Sequence, residues 1–91
     1  MIKKELVQLI SDQTGQTQKQ VKEILELAMD KIKEAVSKGD KVSLVGFGVF
    51  EQRERAEKKG TNPSTREPMI IPATTVPYFR PGQEFKDIVK N

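Results

Sequence analysis

Residues Lys58 to Met69 read KKGTNPSTREPM, and the fold turns on whether this stretch is a solvated loop or the end of a projecting arm. Lys58, Lys59 and Arg66 outnumber the single acid Glu67, and prolines stand at 63 and 68. Upstream, KVSLVGFGVF from Lys41 to Phe50 is rich in β-branched and aromatic residues. It reads as a strand, a glycine-marked turn at Gly46 to Gly48, and a second strand. That second strand runs on through EQRERAEKK, where alternation puts Arg53 and Arg55 on one face and Glu54 on the other. Downstream, REPMIIPATT reads as the returning strand, with prolines at 68 and 72.

Prolines 68 and 72 have the same parity, so their missing N–H groups point to one side of the strand. Proline is tolerated in a strand where its nitrogen faces away from a partner. Each strand of an isolated two-stranded ribbon has such an outer edge. The pair therefore predicts a hairpin arm with Asn62-Pro63 at its tip. A ribbon of this kind has no core of its own and needs a surface to pack against. Arg53, Arg55, Lys58, Lys59 and Arg66 make phosphate the natural counter-surface, since neutralising phosphates releases counterions whatever the base sequence. A two-stranded ribbon also fits a DNA groove.

On the N-terminal side the period changes to that of helices. Leu6, Val7, Leu9 and Ile10 form one apolar face over residues 3–14, ended by Gly15. Thr17 followed by Gln20 matches a capping box. Val21, Ile24, Leu25, Ala28, Ile32, Ala35 and Val36 then keep helical period to Lys38, where Gly39 stops the run. Beyond the ribbon, VPYFRPGQEFKDIVKN gives a short segment, a Pro81-Gly82 break and a C-terminal helix with Phe85, Ile88 and Val89 apolar.

Ninety-one residues make one small domain, and 35% apolar content against 32% charged leaves a marginal core. A second copy of the chain is expected to complete it. Cysteine and histidine are both absent, which excludes disulfides, a structural Cys/His zinc site and a Cys/His nucleophile. MIKKELVQ lacks an apolar segment, which predicts no secretory signal, and no run approaches the length of a membrane span. A soluble, cytoplasmic protein is expected. The net charge of +3 is placed unevenly. Residues 1–40 balance seven lysines against seven acids, whereas residues 41–91 hold nine basic and six acidic residues. The second half is the part that meets an anion.

The run GFGVFEQRERAEKKGTNPST, Gly46 to Thr65, resembles the signature of the bacterial HU and integration host factor family of histone-like DNA-bending proteins, HU most closely. IPA at Ile71 to Ala73 and VPYFRPG at Val76 to Gly82 fall in family order, so the resemblance spans essentially the whole chain. It implies an α+β fold: an N-terminal helical hairpin, a three-stranded antiparallel sheet extended into a two-stranded arm, and a short C-terminal helix. The implied single domain divides into a helical dimerisation base over 1–40, a sheet over 41–81 with its arm at about 53–76, and a helix over 82–91. It implies an intertwined homodimer, or a heterodimer with a paralogue, that binds and bends double-stranded DNA from the minor groove and is associated with the nucleoid. Pro63 takes the wedge position, the apolar residue inserted at a kink. Arg53, Arg55, Lys58 and Lys59 lie along the arm, and Asn62, Thr65 and Arg66 flank the wedge. Arg80 and Lys86 meet the backbone from the floor, with Lys3 beside them. Phe47, Phe50 and Phe79 resemble the aromatic cluster of the dimer core. No cofactor, metal, membrane or small-molecule substrate is implied.

The sequence departs from the family pattern at Thr61, where arginine is common, and at Arg66, where glycine is usual. Thr75 and Gln83 stand where lysines are common. These differences predict a lost arm contact at Thr61, a stiffer and more charged tip, and a thinner basic floor, and together a weaker non-specific grip or a shift toward arm-tip contacts. Two other readings use the same arms: a site-selecting, integration-host-factor-like subunit, and an RNA-binding protein. The arm carries no stacking aromatics, which counts against single-strand binding. Enzyme function is not expected, because GFG lacks the spacing of a dinucleotide fingerprint and no phosphate-binding loop occurs.

Overall fold

The computed structural model describes residues 1–90. Helix α1 spans Lys3–Thr14 and closes on Gly15, whose N–H donates to Ser11 O at 2.9 Å. Helix α2, Gln18–Ser37, starts from the expected capping box. The Gln20 N–H donates to Thr17 Oγ1 and the Thr17 N–H to Gln20 Oε1, each at 3.1 Å, so two orphan donors are satisfied reciprocally. The chain forms two compact units, one of residues Met1–Glu34 and one from Ala35 onwards. In the first, Val7 and Val21 are buried, yet Ile24 and Leu27 stay 68% and 57% exposed. The helical hairpin thus presents an apolar face that its own chain does not cover.

The second unit holds the strands. β1 (Val42–Leu44), β2 (Gly48–Arg55) and β5 (Thr74–Pro81) form an antiparallel sheet in the order β1-β2-β5. The turn between β1 and β2 needs Gly46, whose φ of 84° is costly for any residue with a Cβ. Gly48 is required for space: a Cβ there would stand 2.6 Å from Arg80 O and 2.6 Å from the Phe79 ring. Helix α3, Gln83–Val89, follows the Pro81-Gly82 break, and the aromatic rings collect beside it. Phe50 faces Phe79 across the strands with ring centres 4.8 Å apart. Phe47 lies 5.1 Å from Phe79 and stacks on Phe85 at 5.5 Å. Phe79, Pro81, Phe85 and Val89 then border an open, mostly apolar hollow of about 390 Å³.

β3 (Lys58–Thr61) and β4 (Pro68–Ile71) make the arm. The returning strand expected to be continuous is split at Pro72-Ala73, opposite a matching break at Ala56-Glu57. Residue count across the ladder is unchanged, since Arg55 pairs with Thr74 and Lys58 with Ile71. The hydrogen-bonding phase is not. Gly82 N–H donates to Phe47 O at 2.8 Å, so even-numbered β5 residues turn their polar backbone toward β2. Asn62 N–H donates to Glu67 O at 2.9 Å, so in the arm the odd-numbered residues face the partner. The break reverses the phase, and its reason is proline. Pro77 and Pro81 need one phase and Pro68 and Pro72 the other if all four are to face a free edge. Among the described residues no helix is long and apolar enough to cross a membrane.

Candidate nucleic-acid interface

Pairing of β2 with β5 sorts the sheet into two unlike faces. Phe50 and Phe79 share one. The other carries Glu51, Arg53 and Arg55 from β2 with Thr74, Val76, Tyr78 and Arg80 from β5. Arg53, Arg55 and Arg80 are exposed there, and Lys41 reaches in from the start of β1. Glu51 is the one acid of this face, with a side chain only 13% exposed. Its two oxygens are divided: Arg80 Nε donates to Oε1 at 3.2 Å, and Lys41 Nζ sits 3.4 Å from Oε2. Burial alone would raise its carboxyl, but the hydrogen bonds and charges of Lys41 and Arg80 outweigh that and hold it below the ordinary carboxylate value.

Arg53 has a different partner. Its guanidinium carbon lies 3.5 Å from the centre of the Tyr78 ring, a stacked cation–π contact. Arg55, one place further toward the arm, is opposite Thr74. In the arm, Lys58 and Lys59 are exposed on opposite faces of β3, across from Ile71 and Ile70. Met69 and Ile71 share the Lys58 side, where a Cβ on Gly60 would come within 3.3 Å of Ile71 Cδ1.

The tip is a closed loop. Arg66 N–H donates to Asn62 O at 2.7 Å, and Ser64 N–H donates to Asn62 Oδ1 at 2.9 Å. Asn62 is therefore the residue that shapes the turn, with its side-chain oxygen used internally. Pro63, which has no N–H to satisfy, stands exposed at the first corner. Thr65 Oγ1 accepts from Glu67 N–H at 3.4 Å. Arg66 is the only non-glycine residue with positive φ among those described, at 60°. A glycine at that position would meet the backbone demand without strain.

The remaining candidates fall outside this face. Lys86 lies on α3 beside the aromatic hollow. Lys3 is in the first unit, where its Nζ binds Glu26 Oε1 at 2.8 Å, so its charge is already offset. Of the departures, Thr75 pairs with Glu54 on the Phe50 side of the sheet, and Gln83 spends its amide on Asp87 at 2.9 Å. Glu51, one of the carboxylates set among basic residues as salt-bridged surface charges usually are, is such a charge here, and Lys41 and Tyr78, which the sequence did not single out, are central to the cationic face with it. Given the hairpin register, Tyr78 is diagonal to Arg53, and that much could have been read from the strands. Phe85 likewise joins the aromatic cluster that Phe47, Phe50 and Phe79 were expected to form. No group of three or more acidic side chains that could hold a metal ion occurs among the described residues.

The family described as bacterial DNA-binding protein matches residues 1–90. The DNA-binding protein HU of Geobacillus stearothermophilus is 49% identical over 90 residues, which is 99% of this chain and 100% of that protein. HU of Thermotoga maritima is 48% identical over 90 residues, with the same 99% and 100% covered. A cocrystal structure of Anabaena HU with DNA superposes with a TM-score of 0.95 at 50% identity, covering 99% of this chain and 98% of that one.

Proposed function

The chain belongs to the bacterial DNA-binding protein family, and from that premise we propose that it is an architectural protein of double-stranded DNA. It binds the duplex with little sequence preference and bends it. One observation carries this reading above the others: a cationic sheet face, with Arg53, Arg55 and Arg80 exposed, leads into a two-stranded basic arm tipped by Pro63. The Anabaena HU structure of nearly the same fold is a complex with DNA, which supports the same partner here.

The chemistry follows from the parts. Arg53, Arg55, Lys58, Lys59 and Arg80 neutralise phosphates and release counterions, which gives affinity without reading bases. The arm enters the minor groove, and Pro63 inserts between base pairs at a kink. Wedging by apolar side chains in the minor groove is a general property of such proteins, HU being one of its standard examples. Proline suits the role because it is apolar and rigid and has no N–H left unpaired on insertion. Asn62 braces the loop under it through the two bonds to residues 64 and 66. Thr65 and Arg66 flank the wedge, and Lys86 supports the floor from α3.

A second copy of the chain completes the molecule, because the helical face around Ile24 and Leu27 and the hollow beside Phe79 and Phe85 are apolar and open. Two copies bring two arms to one duplex. The role is to hold and shape DNA, with no bond made or broken, and we assign the protein to the nucleoid in the cytoplasm.

The test is a bending assay on nicked and intact duplexes with Pro63→Ala beside the parent. Weaker binding and a smaller or looser bend are expected. Unchanged bending and affinity would remove Pro63 from the mechanism. Affinities across random duplexes should differ little; a ratio of many hundreds would favour site selection by DNA deformability instead.

A further inference from the structure

Arg53 and Arg80 stand on the same face but are held in opposite ways. Arg80 is bound by a carboxylate, which offsets part of its charge and occupies an N–H donor that a phosphate would use. Arg53 has its guanidinium carbon 3.5 Å over the centre of an uncharged ring, the separation of face-to-face stacking, and no carboxylate pairs with it among the described residues. The one acid within reach on that face, Glu51, has both oxygens taken by Arg80 and Lys41. A guanidinium stacked by its face keeps its N–H donors free at its edges, in the plane where a phosphate is gripped by two parallel bonds. Tyr78 is half-buried in β5, so the surface it offers is itself fixed by the sheet.

We propose that Tyr78 is a positioning residue for DNA binding, whose ring holds the Arg53 guanidinium extended over the sheet with its charge intact and its donors free for a phosphate. This rests on the reading of Arg53 as a phosphate contact. An arginine on a bare sheet loses much of its side-chain freedom when it docks. On Tyr78 most of that ordering has happened before DNA arrives. The ring matters here and the hydroxyl does not, so phenylalanine should serve and an aliphatic residue should not.

The test compares Tyr78→Phe, Tyr78→Leu, Arg53→Gln and the double variant Tyr78→Leu/Arg53→Gln in titrations of one duplex over a range of salt. Arg53→Gln should weaken binding and lower the salt slope by about one. Tyr78→Leu should weaken binding by about two- to five-fold, the scale of an exposed cation–π contact, and leave the slope as in the parent because the charge remains. Tyr78→Phe should bind as the parent does, and the double variant as Arg53→Gln alone does. In the free protein the Arg53 side-chain proton resonances should carry an upfield ring-current shift. Tyr78→Phe should keep that shift and Tyr78→Leu should lose it, a difference that sheet stability alone would not produce. If Arg53→Gln changes neither affinity nor slope, the phosphate reading of Arg53 fails and the proposal falls with it. If Arg53→Gln weakens binding but Tyr78→Leu binds as the parent does, or weakens equally with and without Arg53, the phosphate reading stands and the positioning role is overturned. Weak binding by Tyr78→Phe would overturn it as well.

Discussion

The Arg80 guanidinium donates through Nε to Glu51 Oε1 at 3.2 Å, so a cation expected to meet phosphate is held by a carboxylate in the free protein. Lys41 is held on the second oxygen at 3.4 Å. If both cations meet phosphate, DNA must compete with Glu51 for them. Glu51→Gln should therefore tighten binding at low salt and steepen the salt slope by up to about 0.9 for each cation released. Titrations against salt concentration check this. Equal affinity and slope would mean that neither cation reaches a phosphate.

The same carboxylate makes a pH prediction about folding. Its folded-state value lies below the ordinary 4.5, so the folded protein favours the ionised form and the pairs contribute fully above that pH. The contribution is lost as pH falls through the lowered value. Glu51→Gln cannot lose what it lacks. On acidification below about pH 4.5 the parent's thermal midpoint should fall more steeply than the variant's, and melting curves through that window measure the difference.

Arg66 occupies a left-handed conformation, φ 60°, that costs a side-chain-bearing residue about 1 kcal/mol. Arg66→Gly should relieve that strain and keep the tip closed, since the bond from residue 66 N–H to Asn62 O is made by backbone. It also removes a charge beside Pro63. DNA affinity should fall a few-fold and the salt slope by about one, while amide exchange at residue 66 stays protected. Arg66→Val, β-branched at the same φ, should open the loop and lose that protection.

What was legible in the sequence depended on how local the cause was. The Thr17/Gln20 box is a three-residue device, and it formed with both bonds in place. The parity of Pro68 and Pro72 gave the arm because a missing N–H is a property of the residue itself. Parity also held the strand break, had Pro77 and Pro81 been counted with the other two. The Glu51–Arg80–Lys41 group and the Arg53–Tyr78 stack were not legible in that way. They depend on which strand lies next to β2, on the register, and on the rotamers of long side chains whose partners stand on a different strand. Charge counting located the cationic excess in residues 41–91 but could not separate a cation held by a carboxylate, as Arg80 is, from one without such a partner, as Arg53 is.

Gly48 permits a close approach of β5 to β2. A Cβ at 48 would stand 2.6 Å from Arg80 O, which is backbone and cannot swing aside, and equally near the Phe79 ring. Gly48→Ala should force β2 and β5 apart at the Phe50–Phe79 pair and cost about 2–3 kcal/mol or more. A drop of many degrees in thermal midpoint is expected, together with loss of DNA binding from the displaced Arg80. A midpoint within a degree or two of the parent would show that the strands can separate there without harm.

The last prediction concerns the apolar surface the chain leaves open. Val7, Val21 and Val36 are its only buried hydrophobic residues among those described, while Ile24 and Leu27 on α2 remain largely exposed. So little burial in a chain of this size leaves its fold marginal on its own. If a second copy covers that face, folding and association are one equilibrium, and the thermal midpoint must rise with protein concentration. Leu27→Glu should lower the midpoint at any fixed concentration, steepen its dependence on dilution, and abolish bending together with tight DNA binding, because one arm alone cannot grip both sides of a kink. A midpoint unchanged over a hundred-fold dilution would mean that the open face is not closed by another copy, and that the stability of the helical hairpin has a source other than association.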